Sequence, residues 1–246
     1  MFHFLFYKPM YNALVLILSI VPDGNIVFAV ILLTVLVKVL LLPLSKKMFL
    51  TQITQRKIQP LLKKIQVEYK DNRQMLGLKM LELYKEHKMN PFSSILLLLI
   101  QLPIVLALYF VFSRGGLPTI QVSDLYSFIP HVVNFEHVLF GVDFIKASAV
   151  VGVVAAVFQY IQIRLSLLNM PQPTKGVALK DMTSEEQMQK QMSFMRRYFI
   201  PILILIASTK VSASVALYWI VSSIFMIAQE LFFRRKFKDQ LEVPQK

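Results

Sequence analysis

Residues 26–44 read IVFAVILLTVLVKVLLLPL, an apolar run in which Lys38 is the single charged side chain. A helix rises 1.5 Å per residue, so a run of this length is about as long as the hydrocarbon core of a bilayer is thick. We therefore predict a transmembrane helix over residues 26–44.

The composition supports a membrane protein. The 246 residues are 56% hydrophobic and 17% charged, whereas soluble domains are nearer half apolar and a quarter charged. The chain has no cysteine, which excludes disulfides, a thiolate nucleophile, a lipoprotein attachment site and cysteine-based metal sites. His3, His87, His131 and His137 lack metal-binding spacing. We predict no cofactor, no metal site and no enzymatic activity.

Four further apolar runs follow, so the predicted fold class is an all-α integral membrane protein with five transmembrane helices. The predicted spans are residues 26–44, 92–112, 144–166, 198–212 and 213–233, and the fourth is short. The connecting segments are a cytoplasmic helical hairpin over 45–90, an extracytoplasmic loop over 113–143, a cytoplasmic loop over 167–197 and a basic cytoplasmic tail over 234–246.

Residues 1–22 contain an apolar stretch of about a dozen residues, too short to span. Its aromatic and basic start favours an amphipathic helix in the extracytoplasmic membrane interface. A cleaved signal is the alternative, but Pro22-Asp23-Gly24-Asn25 offers no small-residue cleavage site.

The positions of the bases predict the orientation. Residues 45–90 carry eleven Lys and Arg against four acidic residues, and further bases lie in 164–197 and in the tail. Because Lys and Arg are retained on the cytoplasmic side, we predict an outer N-terminus and a cytoplasmic C-terminus. The net charge of +13 is thus mainly a topology signal. Contact with anionic lipid or ribosomal RNA is a second, compatible interpretation, and we expect no specific DNA binding.

The predicted hairpin has a narrow apolar seam. Apolar residues recur at helical spacing on both sides of a break at Asp71-Asn72. They are Ile58, Leu61, Leu62, Ile65 and Tyr69, then Leu76, Met80, Leu83 and Tyr84. The hairpin is either a solvated spacer or an arm that docks a client or partner.

Lys38 is the central candidate for function. It lies about 18 Å along the helix from Ile26 and about 12 Å from Lys46. Intramembrane charges normally face a wet cavity or a partner, although a lysine at this depth could also extend to the headgroups. Thr34, Lys38 and Ser45 share one helical face, which favours a hydrated groove.

Other predicted spans carry matching polar stripes. Singly, such residues are typical of helix packing; together with Lys38 they predict the lining of a groove. The candidate site residues are Lys38, Thr34, Ser45, Gln101, Gln159, Gln162, Tyr218, Trp219 and Ser222.

Three stretches resemble the YidC/Oxa1/Alb3 family of membrane protein insertases. They are LLTVLVKVLLLPLSKK at 32–47, the segment QRKIQPLLKK to IVLALY at 55–109, and ALYWIVSSIFMIAQE at 216–230. The N-P before span two, the Q-x-P within it and the L-Y-W with A-Q in span five are specific in combination.

The resemblance implies a five-helix core around a hydrophilic groove that is open to the cytosol and the lipid and closed toward the outside. The family's groove cation is usually arginine, and the matching position here is Lys38, so charge without bidentate geometry must suffice. Polar lining positions carry over to Gln159 or Gln162 and to Trp219. The glycine usual before L-Y-W is missing from KVSASVALYW.

The function implied is assistance to nascent membrane proteins entering the bilayer, alone or with a Sec-type translocon. Partners implied are nascent chains, membrane lipids, the translocon and the ribosome, in the cell membrane of a bacterium. A small-solute transporter or channel is the alternative, which internal repeats would favour; none is visible in the sequence.

Overall fold

The structure is a computed structural model that describes residues 1–88, 93–113, 120–130, 135–168 and 184–241. These residues are mainly helical, which confirms the predicted class. The helices are α1 Lys8–Leu18, α2 Ile26–Leu40, α3 Leu42–Glu68, α4 Arg73–Glu86, α5 Ser93–Ser113, α6 Ala149–Leu167, α7 Ser184–Phe194, α8 Ile200–Ser208, α9 Ala213–Lys236 and α10 Lys238–Leu241. Two strands, β1 Val138–Leu139 and β2 Val142–Asp143, form a small antiparallel hairpin.

Among the described residues, two helices, α6 and α9, are long and apolar enough to cross a membrane, and the bent pair α2 and α3 makes a third if it is counted as one span. The backbone of α5 is helical over 21 residues. The helical backbone around the predicted fourth span is divided into α7, a π-helical turn at Met195–Phe199 and α8. Five spans therefore remain a prediction.

Many large apolar side chains lie exposed on the outer surfaces of these helices. A protein in water rarely exposes so continuous an apolar surface, whereas lipid is a favourable solvent for it. The exposed apolar side chains of α2, α6 and α8 include Phe28, Leu32, Leu36, Val150, Val153, Val157, Ile202, Leu203 and Ile206.

The first predicted span does not continue straight into the hairpin. The Asn25 side chain caps α2 by accepting a hydrogen bond from the Val27 N–H at 2.9 Å. The helix ends at Leu40, four residues before the predicted boundary, and α3 leaves at an angle of 57°. Pro43 sits in the first turn of α3, where its missing N–H is tolerated.

Helices α3 and α4 form one end of the molecule, which we call the hairpin end. The Asn72 side chain caps α4 by accepting from the Met75 N–H at 3.0 Å. Ile58, Leu62 and Leu83 form the buried contact between the two helices, while Leu61 is exposed. The apolar seam is therefore narrower than the sequence pattern indicates.

Aromatic rings fasten the start of α3 to the end of α9. The rings of Phe49 and Phe233 lie 5.3 Å apart between centroids, and Ile53 is buried with them. This contact holds the base of the hairpin against the helix bundle.

The opposite end, which we call the loop end, is held by the segment 136–146. Its carbonyls accept hydrogen bonds from backbone N–H groups in the first turns of two helices. Such N–H groups have no hydrogen-bond partner within their own helix. These bonds are Ile26 N to Glu136 O at 2.9 Å, Ala213 N to Lys146 O at 2.7 Å and Ser214 N to Phe144 O at 3.0 Å. The segment thus ties the starts of α2 and α9 together.

Helices α6 and α8 approach each other closely at Gly152. A methyl group placed there would overlap the Ser208 hydroxyl, and Ser208 is fully buried. Small residues allow such close contact between helix backbones. Gly152 is therefore a packing residue.

Candidate functional site

The Lys38 side chain points into the helix bundle. It is 7% exposed, and its Nζ lies 3.8 Å from Met226 Sδ on α9. A lysine that extended along the outer surface toward headgroups would be exposed instead. The ammonium therefore lies between α2 and α9.

Thr34 lies one turn before Lys38 on the same face of α2. It is 2% exposed, and its hydroxyl donates to the Val30 carbonyl at 2.6 Å. This bond returns to the helix's own backbone, as is common for threonine in helices. The hydroxyl oxygen retains acceptor capacity beside the cation.

A short chain of polar side chains joins α6 to α9. Gln159 Nε2 donates to Gln162 Oε1 at 2.9 Å, and the Ser223 hydroxyl donates to Gln159 Oε1 at 3.2 Å. Gln162 and Ser223 are buried, and Gln159 is half-buried. Both glutamines therefore belong to one hydrogen-bonded network.

The predicted residues of α9 lie along the same stretch of helix. Tyr218 and Ser222 are buried, four residues apart and on one face, and Trp219 is half-buried beside them. Met226 continues that face by another four residues. The structure thus places the α9 stripe next to the α2 cation through Met226.

One predicted site residue, Ser45, lies apart from the others, and another, Gln101, cannot be compared with them. Ser45 lies in α3, beyond the 57° bend, and is half-buried. The prediction that Ser45 shares one helical face with Thr34 and Lys38 is wrong, because α2 ends before Pro43 and Ser45 belongs to the next helix. The side chain of Gln101 lies outside the described residues.

Two residues at this site were not among the sequence candidates. Met226 contacts Lys38, and Ser223 contacts Gln159. Met226 could have been found, because it extends the spacing of Tyr218 and Ser222. Ser223 lies four residues after the candidate Trp219, so helical spacing places it beside that stripe; its partner Gln159 depends on how α6 packs against α9.

The groups at this site offer hydrogen bonds and one positive charge. Within the described parts of the chain, no cluster of three or more His, Asp or Glu could hold a metal ion; His131 lies outside them. Two cavities, of about 220 and about 300 Å³, lie at the loop end. Lys38 lines neither of these two cavities.

A separate cluster of charged groups holds the β-hairpin at the loop end. Asp143 lies 3.1 Å from His137 Nδ1 and 3.1 Å from Lys146 Nζ, and it accepts from the Ile145 N–H at 3.0 Å. Burial alone would raise the pKa of Asp143, but these hydrogen bonds together outweigh burial and hold the pKa below its usual value.

Comparison with known proteins assigns the family. The sequence model of the family described as "60Kd inner membrane protein" matches residues 17–240. The protein named Membrane protein insertase YidC of Fusobacterium nucleatum subsp. nucleatum is 30% identical over 213 residues, which cover 87% of this chain and 88% of that protein.

Relatives of the same name in Francisella tularensis, in the subspecies novicida and tularensis, are 30% identical over 216 residues. The match covers 87% of this chain and 33% of those proteins, so the chain spans about a third of their length. The resemblance found in the sequence motifs is confirmed, and this chain belongs to the 60Kd inner membrane protein family, the family of the YidC insertases.

Proposed function

We propose that this chain is a membrane protein insertase that assists insertion and folding of nascent membrane proteins. The observation that carries the proposal is the buried Lys38 ammonium, which contacts Met226 of α9. The same helix carries Ser223, which is hydrogen-bonded to Gln159 of α6. The name of the Fusobacterium relative, which matches over most of both chains, supports the same activity.

The proposed membrane placement has five spans, contributed by α2, α5, α6, α8 with its preceding turn, and α9. The hairpin end then lies in the cytosol, because the eleven bases of residues 45–90 belong to it. The loop end lies outside, with α1 in the outer interface. The apolar surfaces of α2, α6 and α8 support this arrangement.

The mechanism rests on the cost of desolvation. A polar flank of a client cannot cross hydrocarbon cheaply, so a hydrated groove reaching partway into the bilayer shortens the dry distance. Lys38 attracts acidic residues of that flank, while the apolar segment of the client moves sideways into lipid. The partitioning free energy and the membrane potential supply the driving force.

The hydrogen bonds at the loop end support this mechanism. Segment 136–146 ties α2 to α9 by backbone hydrogen bonds at the loop end, so the proposed groove opens toward the cytosol and the lipid. Nascent chains are the proposed clients, and a Sec-type translocon, the ribosome and membrane lipids are the proposed partners.

Reconstitution tests the function. The full chain in phospholipid vesicles is expected to insert a short single-span client with an acidic outer tail, measured by protection of that tail from added protease. Vesicles without the protein are the control. Equal protection in both would contradict the proposal, and release of a trapped small solute in its place would favour the channel alternative.

Single engineered cysteines test the orientation, since the chain has none. Gln74→Cys on the exposed face of α4 should react only with reagents on the cytoplasmic side. Val122→Cys, which is 59% exposed at the loop end, should react only from outside. The reverse pattern would contradict the proposed topology.

A further inference from the structure

The loop end contains a cavity that the proposed insertion mechanism does not use. It has a volume of about 300 Å³ and lies between α5 and the N-terminal segment, by which we mean Phe2 and the π-helical turn His3–Tyr7. Its lining combines aromatic rings with one carboxylate: Phe2, His3, Tyr7, Phe110 and Asp124.

The rings form a connected group around the carboxylate. Phe2 contacts Phe110 edge to face at 5.9 Å between centroids, and His3 stacks on Tyr7 at 4.9 Å. Asp124 Oδ1 lies 3.4 Å from His3 Nε2. Burial, and secondly the charge of Asp124, raise the pKa of Tyr7 to about 12, which agrees with a carboxylate close to that phenol.

Such a lining matches the needs of an ammonium group. Aromatic faces attract cations through their quadrupole, and a carboxylate supplies the countercharge. The chain's own Lys8 does not occupy the cavity, because its Nζ lies over the ring of Tyr126 at 5.4 Å. His3 lies beside Asp124 at the wall of the cavity, and the space between the rings and the carboxylate is suited to a cation from outside the chain.

In the proposed membrane placement, the cavity lies at the edge of the membrane. Phe4 and Leu5 beside it are 72% and 67% exposed, as expected for side chains inserted into the interface. Phe110 lies three residues before the end of α5 at Ser113, about 4.5 Å from the end of that helix. In the proposed five-span placement, this is the level of lipid headgroups.

We propose that this cavity binds the ammonium group of a phospholipid headgroup, with Asp124 as its countercharge and the rings of Phe2, Tyr7 and Phe110 as its walls. The site would fix a zwitterionic lipid of the outer leaflet between the N-terminal segment and α5. The inference needs the membrane placement of α5 but not the insertase activity.

Lipid titration of the full purified chain tests the site. Native mass spectrometry in detergent compares phosphatidylethanolamine with phosphatidylglycerol of the same acyl chains, since the second lipid has no ammonium. We expect one phosphatidylethanolamine to bind about fivefold more tightly than phosphatidylglycerol. Soluble glycerophosphoethanolamine, which carries the same headgroup, should displace it at high concentration.

Asp124→Asn should abolish this preference. The replacement leaves the backbone carbonyl of residue 124, which accepts from Asn12 Nδ2 at 2.9 Å, so the local fold is retained. Phe2→Leu, which keeps an apolar side chain but removes a ring, should reduce the preference. Asp23→Asn is the matched control, because it removes an exposed carboxylate at the same end of the molecule.

Equal binding of the two lipids by the unmodified chain would overturn the proposal. A preference that survives Asp124→Asn would overturn it as well. This experiment measures lipid binding and not insertion. A negative result would therefore not contradict the proposed insertase activity, and a chain without insertase activity could still show the lipid preference.

Discussion

The ammonium nitrogen of Lys38 lies 3.8 Å from the sulfur of Met226, so a cation of α2 and a thioether of α9 meet inside the helix bundle. A thioether is polarizable but uncharged and accepts hydrogen bonds weakly. This contact holds the lysine side chain in place between α2 and α9. The proposed mechanism uses a positive charge at this position.

Replacing Lys38 with glutamine should lower insertion of a client that has an acidic outer tail. Two opposite charges about 4 Å apart attract each other by about 1 kcal/mol even in water, which corresponds to about a fivefold change in an equilibrium. We expect at least this loss in the vesicle assay. Lys38→Arg should retain activity, because it keeps the charge.

Two comparisons make the Lys38 result specific. Lys47→Gln removes an exposed charge at the start of α3 and should leave insertion unchanged. Lys38→Gln should reduce insertion of a client with a neutral tail less than it reduces insertion of the client with the acidic tail. Undiminished insertion of the acidic client by Lys38→Gln would contradict the charge model.

Helical spacing predicted which side chains of α2 and α9 face inward. Thr34 and Lys38 are four residues apart and lie on one face of α2. Tyr218 and Ser222 have the same spacing on α9, and all four side chains are buried. Periodicity works here because it depends only on local helix geometry. It failed at Ser45, because the direction taken after Pro43 depends on packing of α3 against α9.

Long-range contacts of the N-terminal segment could not be predicted. Asn12 donates to the Asp124 carbonyl at 2.9 Å and accepts from the Tyr126 N–H at 2.6 Å, and the Tyr11 hydroxyl accepts from the Gln121 N–H at 2.7 Å. These partners lie more than a hundred residues away in the sequence. The apolar content of residues 1–22 indicates a membrane interface but carries no information on what the buried face contacts.

Gly152→Ala should destabilise the packing of α6 on α8. The added methyl group would overlap the Ser208 hydroxyl, and overpacking of this kind costs about 1–3 kcal/mol. Unfolding in mixed micelles with a rising fraction of SDS measures the loss. Ser208→Gly in the same chain should restore part of it.

Gly77 offers a matched control for this substitution. It lies within α4, and nothing comes within 4 Å of a methyl group placed there. Gly77→Ala should therefore be neutral or stabilising by up to about 1 kcal/mol, since alanine favours helix. If Gly152→Ala behaved like Gly77→Ala, the close approach of α6 and α8 would be refuted.

The hydrogen bond from Ser223 to Gln159 should appear as coupling between α6 and α9. A double-mutant cycle with Ser223→Ala and Gln159→Leu should give about 0.6 kcal/mol, the average for such bonds between membrane helices. The same cycle with Ser222→Ala should give a value near zero, because no hydrogen bond joins Ser222 to Gln159 in the described structure. Equal coupling for the two serines would argue against this network.

Asp143→Asn should weaken the loop end at neutral pH and have less effect in acid. The folded-state pKa of Asp143 is lowered, because the hydrogen bonds from Ile145, Lys146 and His137 favour the carboxylate. A group with a depressed pKa stabilises the fold above its unfolded value, which is about 3.9 for aspartate, and loses that contribution as the pH falls through the folded pKa. The unfolding midpoint of the variant should therefore lie below that of the unmodified chain at pH 7, and the difference should shrink below about pH 4.

The control is Asp23→Asn, at an exposed turn of the same end, which should show no such pH-dependent difference. If the difference in unfolding midpoint between Asp143→Asn and the unmodified chain stayed constant from pH 7 to pH 3, the charge of the carboxylate would not be what holds the β-hairpin in place.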